Sequence, residues 1–195
     1  MTGERWRAVR WTEAQQVLHF MGHIDGDVLG DTPDAHYRAM IGEGPTHDAV
    51  SYLAHALPRM EVIGWAARIL KDLSRQDALH PRDRQALDAV LRWLDEPSEQ
   101  WRRSAQELAD MASDGGAEQL LAMAVFVSGG SIAPPELPAV LPPDFACNRL
   151  AGAAVKAAAY RAARRGRAET EKRLQSALQL GETFAVRGME AFAAA

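Results

Sequence analysis

The ten prolines of this chain fall in two kinds of place. Pro33, Pro45, Pro58, Pro81 and Pro97 are scattered, each at the edge of a stretch with helix-period apolar residues. The other five crowd into residues 134–143. Proline has no backbone N–H and a locked φ, so a helix accepts it in the first turn and is broken by it elsewhere. The chain is therefore cut into segments of about 12–17 residues joined by tight turns, the pattern of antiparallel or angled helices. One stretch, 128–143, cannot be helical.

The segments themselves read as helices. Val17, Leu18 and Met21 recur at helical spacing after Thr12, which reads as an N-cap, and Gly22 ends that helix. Residues 22–34 are rich in Gly and Asp and read as a loop. A short helix is expected from Pro33 to Met40, and a second begins at Thr46 with Val50, Leu53 and Leu57. From Pro58 to Leu73 the set Val62, Trp65, Ala66, Ile69, Leu70 and Leu73 keeps the period. Pro81 opens a helix with Leu87, Val90, Leu91 and Leu94 on one face. Pro97 opens the next, carrying Trp101, Leu108 and Met111, and Gly115 and Gly116 are expected to end it. Residues 117–127 are almost wholly apolar and predict a central helix. In the Pro-rich stretch, Ile132, Leu137, Val140 and Leu141 predict an extended strap packed across the bundle. An alanine-rich helix should follow to about Arg165, interrupted at Gly166 and resuming to about residue 192. Gly181 and Gly188, expected to be exposed, should each weaken it by about 1 kcal/mol relative to Ala.

Composition agrees. Thirty-six residues are alanine and few are β-branched, which favours helix over sheet. The expected fold is all-α: a single helical bundle or short irregular α-solenoid of about 7–9 helices with a Pro-rich strap. The chain divides into a peripheral N-terminal segment (1–45), a helical core (46–127), the strap (128–143) and C-terminal alanine-rich helices (144–195). The formal charge of -4 gives no broad attraction to phosphate backbones, so nucleic acid is an unfavoured partner. One cysteine, Cys147, rules out an intramolecular disulfide, and a reducing cytoplasm is the expected compartment. No signal peptide is read at the N-terminus. The longest apolar run, 120–127, is far short of the ~20 residues a membrane helix needs.

Candidate sites are few. His19 and His23 are one helical turn apart, the spacing that grips a metal, with Asp25, Asp27 and Asp31 following. The simpler reading is a polar helix end and a solvated acidic loop. Glu61 and Arg68 flank Trp65 on one helix and read as surface charges. Residues 156–173 carry seven basic against two acidic side chains, including Arg161, Arg164, Arg165 and Arg167. This cluster reads first as a solvated face and second as a partner or nucleic-acid contact. The first 55 residues hold four basic against eight acidic, so the two ends could attract, within the fold or between copies. Trp6 and Trp11, among Arg5, Arg7 and Arg10, either dock on the bundle or face a partner. Ser128-Gly129-Gly130-Ser131 lacks the Lys of a phosphate loop and reads as a helix C-cap. Cys147 reads as a small buried hydrophobe.

Gly64-Trp65-Ala66-Ala67-Arg68, Glu96-Pro97-Ser98-Glu99 with Arg102 and Arg103, and Val127-Ser128-Gly129-Gly130-Ser131-Ile132-Ala133-Pro134-Pro135 together resemble a bacterial family of unknown function. Its members look like small helical proteins often associated with type VI secretion gene clusters. The resemblance covers about half the chain, and its pattern tends to put a second Trp where this chain has Gly64. It implies an accessory, adaptor or chaperone-like role and carries no catalytic residue across. The expectation is a non-enzymatic protein that binds another protein, without a cofactor, with self-association through its alanine-rich helices a further expectation. The alternatives are a metal-binding protein or enzyme using His19, His23, Asp25 and Asp27, and nucleic-acid binding through residues 161–173.

Overall fold

The computed structural model describes residues 4–23, 28, 30–44, 46–162 and 166–193. Among these, every regular element is a helix: α1 (Ala14–Met21), α2 (Pro33–Glu43), α3 (Thr46–Ala56), α4 (Arg59–Leu73), α5 (Pro81–Asp95), α6 (Glu99–Met111), α7 (Ala117–Phe126), α8 (Ala146–Tyr160), α9 (Arg167–Arg187) and the single turn α10 (Glu190–Ala193). The all-α expectation holds. Several boundaries move for local reasons. Glu13, not Thr12, is the N-cap of α1, because Gln16 Oε1 turns back to accept the Glu13 N–H at 3.1 Å and both the N–H and hydroxyl of Thr12. Helix α6 opens at Glu99 instead of Pro97, with Ser98 as its N-cap accepting the Trp101 N–H at 3.3 Å. Helix α6 stops at Met111, so Gly115 and Gly116 lead into α7 instead of ending α6.

Helix α8 is the hub, packing against α7, α4, α3 and α9. Its buried side Cys147, Ala151, Gly152, Ala154, Val155 and Ala158 is small, so its neighbours approach closely. A Cβ added at Gly152 would stand 2.9 Å from the Ala54 methyl of α3. The apolar core is continuous from Trp6 to Ala191, with Trp65, Tyr37, Tyr52 and Phe184 fully buried. The Trp65 indole N–H donates to the Ala177 carbonyl at 2.8 Å, locking α4 to α9 and satisfying the one polar atom of that side chain.

Pro58 sets the junction of α3 and α4. It has no N–H to give to the Ala54 carbonyl four residues back, and the carbonyls beyond lose their helical partners as well. Other parts of the chain supply the donors. Asn148 of α8, itself buried, donates to both Ala54 O and Leu57 O at 2.8 Å. The N-terminal arm supplies the Trp11 indole N–H to His55 O at 3.1 Å and the Arg10 N–H to Ala56 O at 2.9 Å.

Two expectations are corrected. Gly181 and Gly188 are buried. A Cβ at Gly181 would overlap Leu53 Cδ2 and stand 3.0 Å from the Trp65 ring, so glycine is there for close approach of α9 to α3 and α4. Gly188, at φ +60°, ends α9 and turns the chain into α10. The Pro-rich stretch is non-helical as expected, but of its four apolar residues only Ile132 is half-buried, while Leu137, Val140 and Leu141 are 57%, 51% and 71% exposed.

Helix propensity alone makes Gly181→Ala stabilising. The overlap with Leu53 and Trp65 reverses the sign: the substitution should cost about 1–3 kcal/mol. Urea unfolding of both proteins measures this, and an unchanged or raised midpoint would refute the close-approach account.

Candidate functional site

The first turn of α6 carries Glu99, and the next turn presents Arg102 and Arg103 at positions i+3 and i+4, on the same side of the helix. Glu99 grips both. Its carboxylate accepts Arg102 Nε at 2.6 Å and Nη2 at 2.7 Å, and Arg103 Nε at 2.9 Å. Those ion-paired bonds hold the Glu99 carboxyl at a pKa of about 2.

Fixed in this way, the two guanidinium groups reach the backbone of the loop that follows α7. Arg102 donates to the Phe126 carbonyl and, at 2.8 Å, to Ser131 O. Arg103 donates to Ser131 O at 3.0 Å and Ala133 O at 2.9 Å. Both sit over the Phe126 ring, 5.0 and 5.9 Å from its centre. Arg59, at the start of α4, ties the two ends of the loop together, donating to Ser128 O at 3.0 Å and to Asp144 Oδ1 at 3.0 Å. Gly130 has φ +68°, and a Cβ there would stand 3.3 Å from Arg102 Nη2, so this glycine is required twice over.

The loop also closes on itself. Ser131 Oγ accepts the N–H groups of Ala133 and Val140 at 3.1 and 3.0 Å, and the Ile132 N–H donates to Val140 O at 2.8 Å. Ser131 is thus a loop-closing acceptor. Arg102 is only 5% exposed, so its charge is taken from water and compensated by the carboxylate and carbonyls around it. Beside the loop base lies a shallow groove of about 360 Å³ with Met60, Trp93 and Pro97 among its walls.

The residues singled out by spacing fare differently. His19 and His23 are exposed, Asp25 and Asp27 lie outside the described residues, and among the described residues no three His, Cys, Asp or Glu side chains gather as a metal site would require. Trp6 is buried, its ring 4.8 Å from that of Tyr37, and Trp11 is half-buried on the end of α3. Of the two readings for this pair, docking on the bundle is the one observed.

The basic cluster is a solvated face only in part, with Arg167 and Lys172 exposed. Arg161 pairs with the buried Glu118 at 2.6 Å. Arg173 is buried and pairs with Asp77 at 2.7 Å and Glu169 at 3.4 Å. Arg167 is exposed, while Arg164 and Arg165 lie outside the described residues. Arg68 pairs with Asp72 at 2.9 Å. Cys147 is buried, which pushes its thiol up to about 12 and leaves it unreactive.

Residues 36–185 match DUF6931, a family of unknown function. The chain belongs to this family. No curated protein matches the chain, and no solved structure matches it either. The motifs that carried the resemblance lie far apart in sequence, yet two of them make one site in the DUF6931 fold: Glu99, Arg102 and Arg103 hold the Ser-Gly-Gly-Ser loop. The third motif is elsewhere, at Trp65. At Gly64 a Cβ would lie 2.9 Å from Met189 Sδ and 3.2 Å from Phe184, so Met189 fills the space where a second Trp would stand.

Sequence reasoning passed over a second polar cluster, on α3 and α8. Lys156 Nζ donates to Ser51 Oγ at 2.8 Å, and His55 Nδ1 lies 2.7 Å from Ser51 O. The one available signal was the i, i+4 spacing of Ser51 and His55.

Glu99→Gln should weaken the loop clamp above pH 4.5. A carboxyl with a depressed folded pKa contributes stability above its unfolded pKa and loses it as pH falls through the folded value. The difference in thermal midpoint between wild type and Glu99→Gln should therefore be constant above pH 4.5 and close by about pH 2. Arg102→Met should cost about 2–4 kcal/mol by unpairing buried carbonyls, read by urea unfolding; a cost below about 0.5 kcal/mol would contradict the clamp.

Proposed function

We propose that this DUF6931 member is a non-enzymatic, protein-binding accessory protein and that the 128–143 loop is its recognition element. One observation carries this reading. The loop is held by four hydrogen bonds from three arginines to its own carbonyls, while Leu137, Val140 and Leu141 point to solvent. Burying one such side chain contributes about 1.5–3 kcal/mol. A loop shaped by apolar burial would have turned these three inward. Here the charged staples set the backbone and the apolar side chains are left outside, which is how a rigid scaffold displays a binding loop. Pre-ordering removes the entropy that a mobile loop loses on binding, so the displayed residues can be few.

Five prolines at 134, 135, 138, 142 and 143 add to this rigidity and remove the N–H groups an edge strand would offer, so uncontrolled strand pairing is suppressed. In this reading the protein is an adaptor or chaperone-like component working in the cytoplasm, in the service of type VI secretion. In this reading the alanine-rich helices are spent on the core, so contact between copies, where it occurs, uses other surfaces. Among the described residues no helix is long and apolar enough to cross a membrane.

The test is a double variant, Leu137→Asp with Leu141→Asp. Both side chains are exposed, so the thermal midpoint should be unchanged. Quantitative capture from a native lysate should show a stoichiometric partner on the wild-type protein that the variant loses at least tenfold. Equal recovery on both proteins, or no stoichiometric partner on either, would sink the proposal.

A further inference from the structure

The arm formed by residues 4–21 precedes the family-matched residues 36–185 and lies over the end of α3. Its fastenings are local. Arg7 and Ala8 donate backbone N–H groups to Ala185 O at 3.0 and 2.8 Å, Arg10 to Ala56 O, and the Trp11 indole to His55 O. Beneath it lies the His55 side chain, 5% exposed, meeting the Phe20 ring of α1 edge-on at 5.8 Å between centres.

The His55 ring faces a one-sided environment. Nδ1 is 2.7 Å from the Ser51 carbonyl, an acceptor only, so Nδ1 carries the proton and Nε2 is the bare nitrogen. Nε2 is buried and has no hydrogen-bond partner among the described residues. A second proton there would find no acceptor. Burial is the main influence against a proton on His55; the Ser51 carbonyl favours one, while Arg149 and Lys156 from α8 and His23 just beyond α1 disfavour it. Arg10 stands over the same aromatic rings, 4.5 Å from the Trp11 ring centre and 4.6 Å from that of Phe20. The Asp48 carboxylate acts on Lys156.

We propose that His55 is a titrating latch for the N-terminal arm: the neutral ring holds α1 on the bundle, and protonation releases it. The docked arm buries the ring and favours the neutral form, whereas with the arm released His55 meets water and returns toward its ordinary value near 6.5. The docked state then binds fewer protons than the released one. Docking is at full strength above pH 6.5 and weakens as pH falls, by up to tenfold per unit, until the depressed pKa of the docked state is passed. Release frees Trp11 and Phe20 and uncovers the carbonyls of His55 and Ala56, changing one face of the family core without unfolding it.

Amide hydrogen exchange by NMR tests this on the intact chain, with rates corrected for the chemical pH dependence. Between pH 7.5 and 5.0 the protection of residues 14–21 should fall by at least tenfold, while that of α7 and α8 stays constant. The His55 ring resonances, followed in the same samples, should titrate below pH 6.5; this reading needs no variant. His55→Phe fills the site with an uncharged ring and should make the α1 protection independent of pH. The latch is overturned by a flat α1 response in the wild-type protein, by a His55 pKa at or above 6.5, by an equal fall in His55→Phe, or by α7 losing protection in step with α1.

Discussion

A missing hydrogen organises this fold. Pro58 cannot donate to Ala54, and the last carbonyls of α3 would face a packed interior with nothing to accept. An unpaired buried carbonyl costs on the order of 1–3 kcal/mol, so the junction is viable only if other segments bring donors. Asn148 brings two, and with them fixes where α8 crosses α3. The arm brings two more through Arg10 and Trp11, and with them fixes where the N-terminus lies. A helix stop has become the point at which three distant stretches of chain are registered against one another.

The second organising constraint is closeness. Where α8 meets α3, the contact is Gly152 against an Ala54 methyl; where α9 meets α3 and α4, it is Gly181 against Leu53 and Trp65. Small residues let backbones approach until side chains on either side interlock. The large residues are then few and fully used: Trp65 fills the space opposite Gly181 and spends its N–H on Ala177. This explains how a chain with only 7% aromatic residues closes a continuous core. Alanine here is a spacing device as much as a helix former.

What could be read in advance follows from this. Helix positions were legible because prolines and apolar periodicity are local properties, and α3, α4 and α5 lie close to where Thr46, Pro58 and Pro81 put them. The fate of Gly181 was not, since its reason is two side chains over a hundred residues away. The same holds for Arg173, which sequence alone reads as one more exposed charge and the fold pairs with Asp77 across 96 positions. The loop misled for a subtler reason. Apolar residues in a proline-rich stretch suggest packing, yet its conformation is set by arginines 28 to 69 residues upstream whose partners are backbone carbonyls, which leave no trace in side-chain pattern.

The arginine clamp and the displayed loop belong together for an energetic reason. Backbone carbonyls are indifferent to which side chains the loop carries, so a loop held through them can change its outward residues without losing its shape. Side-chain packing would have coupled the two, and every change at Leu137, Val140 or Leu141 would then have cost stability. The fold instead confines its shape-setting chemistry to Glu99, Arg102 and Arg103 behind the loop and to Gly130 and Ser131 at its base. Surface identity is left free in front. A burial-driven strap would couple shape to surface; a loop held through its carbonyls separates them, which is what the proposed recognition role requires.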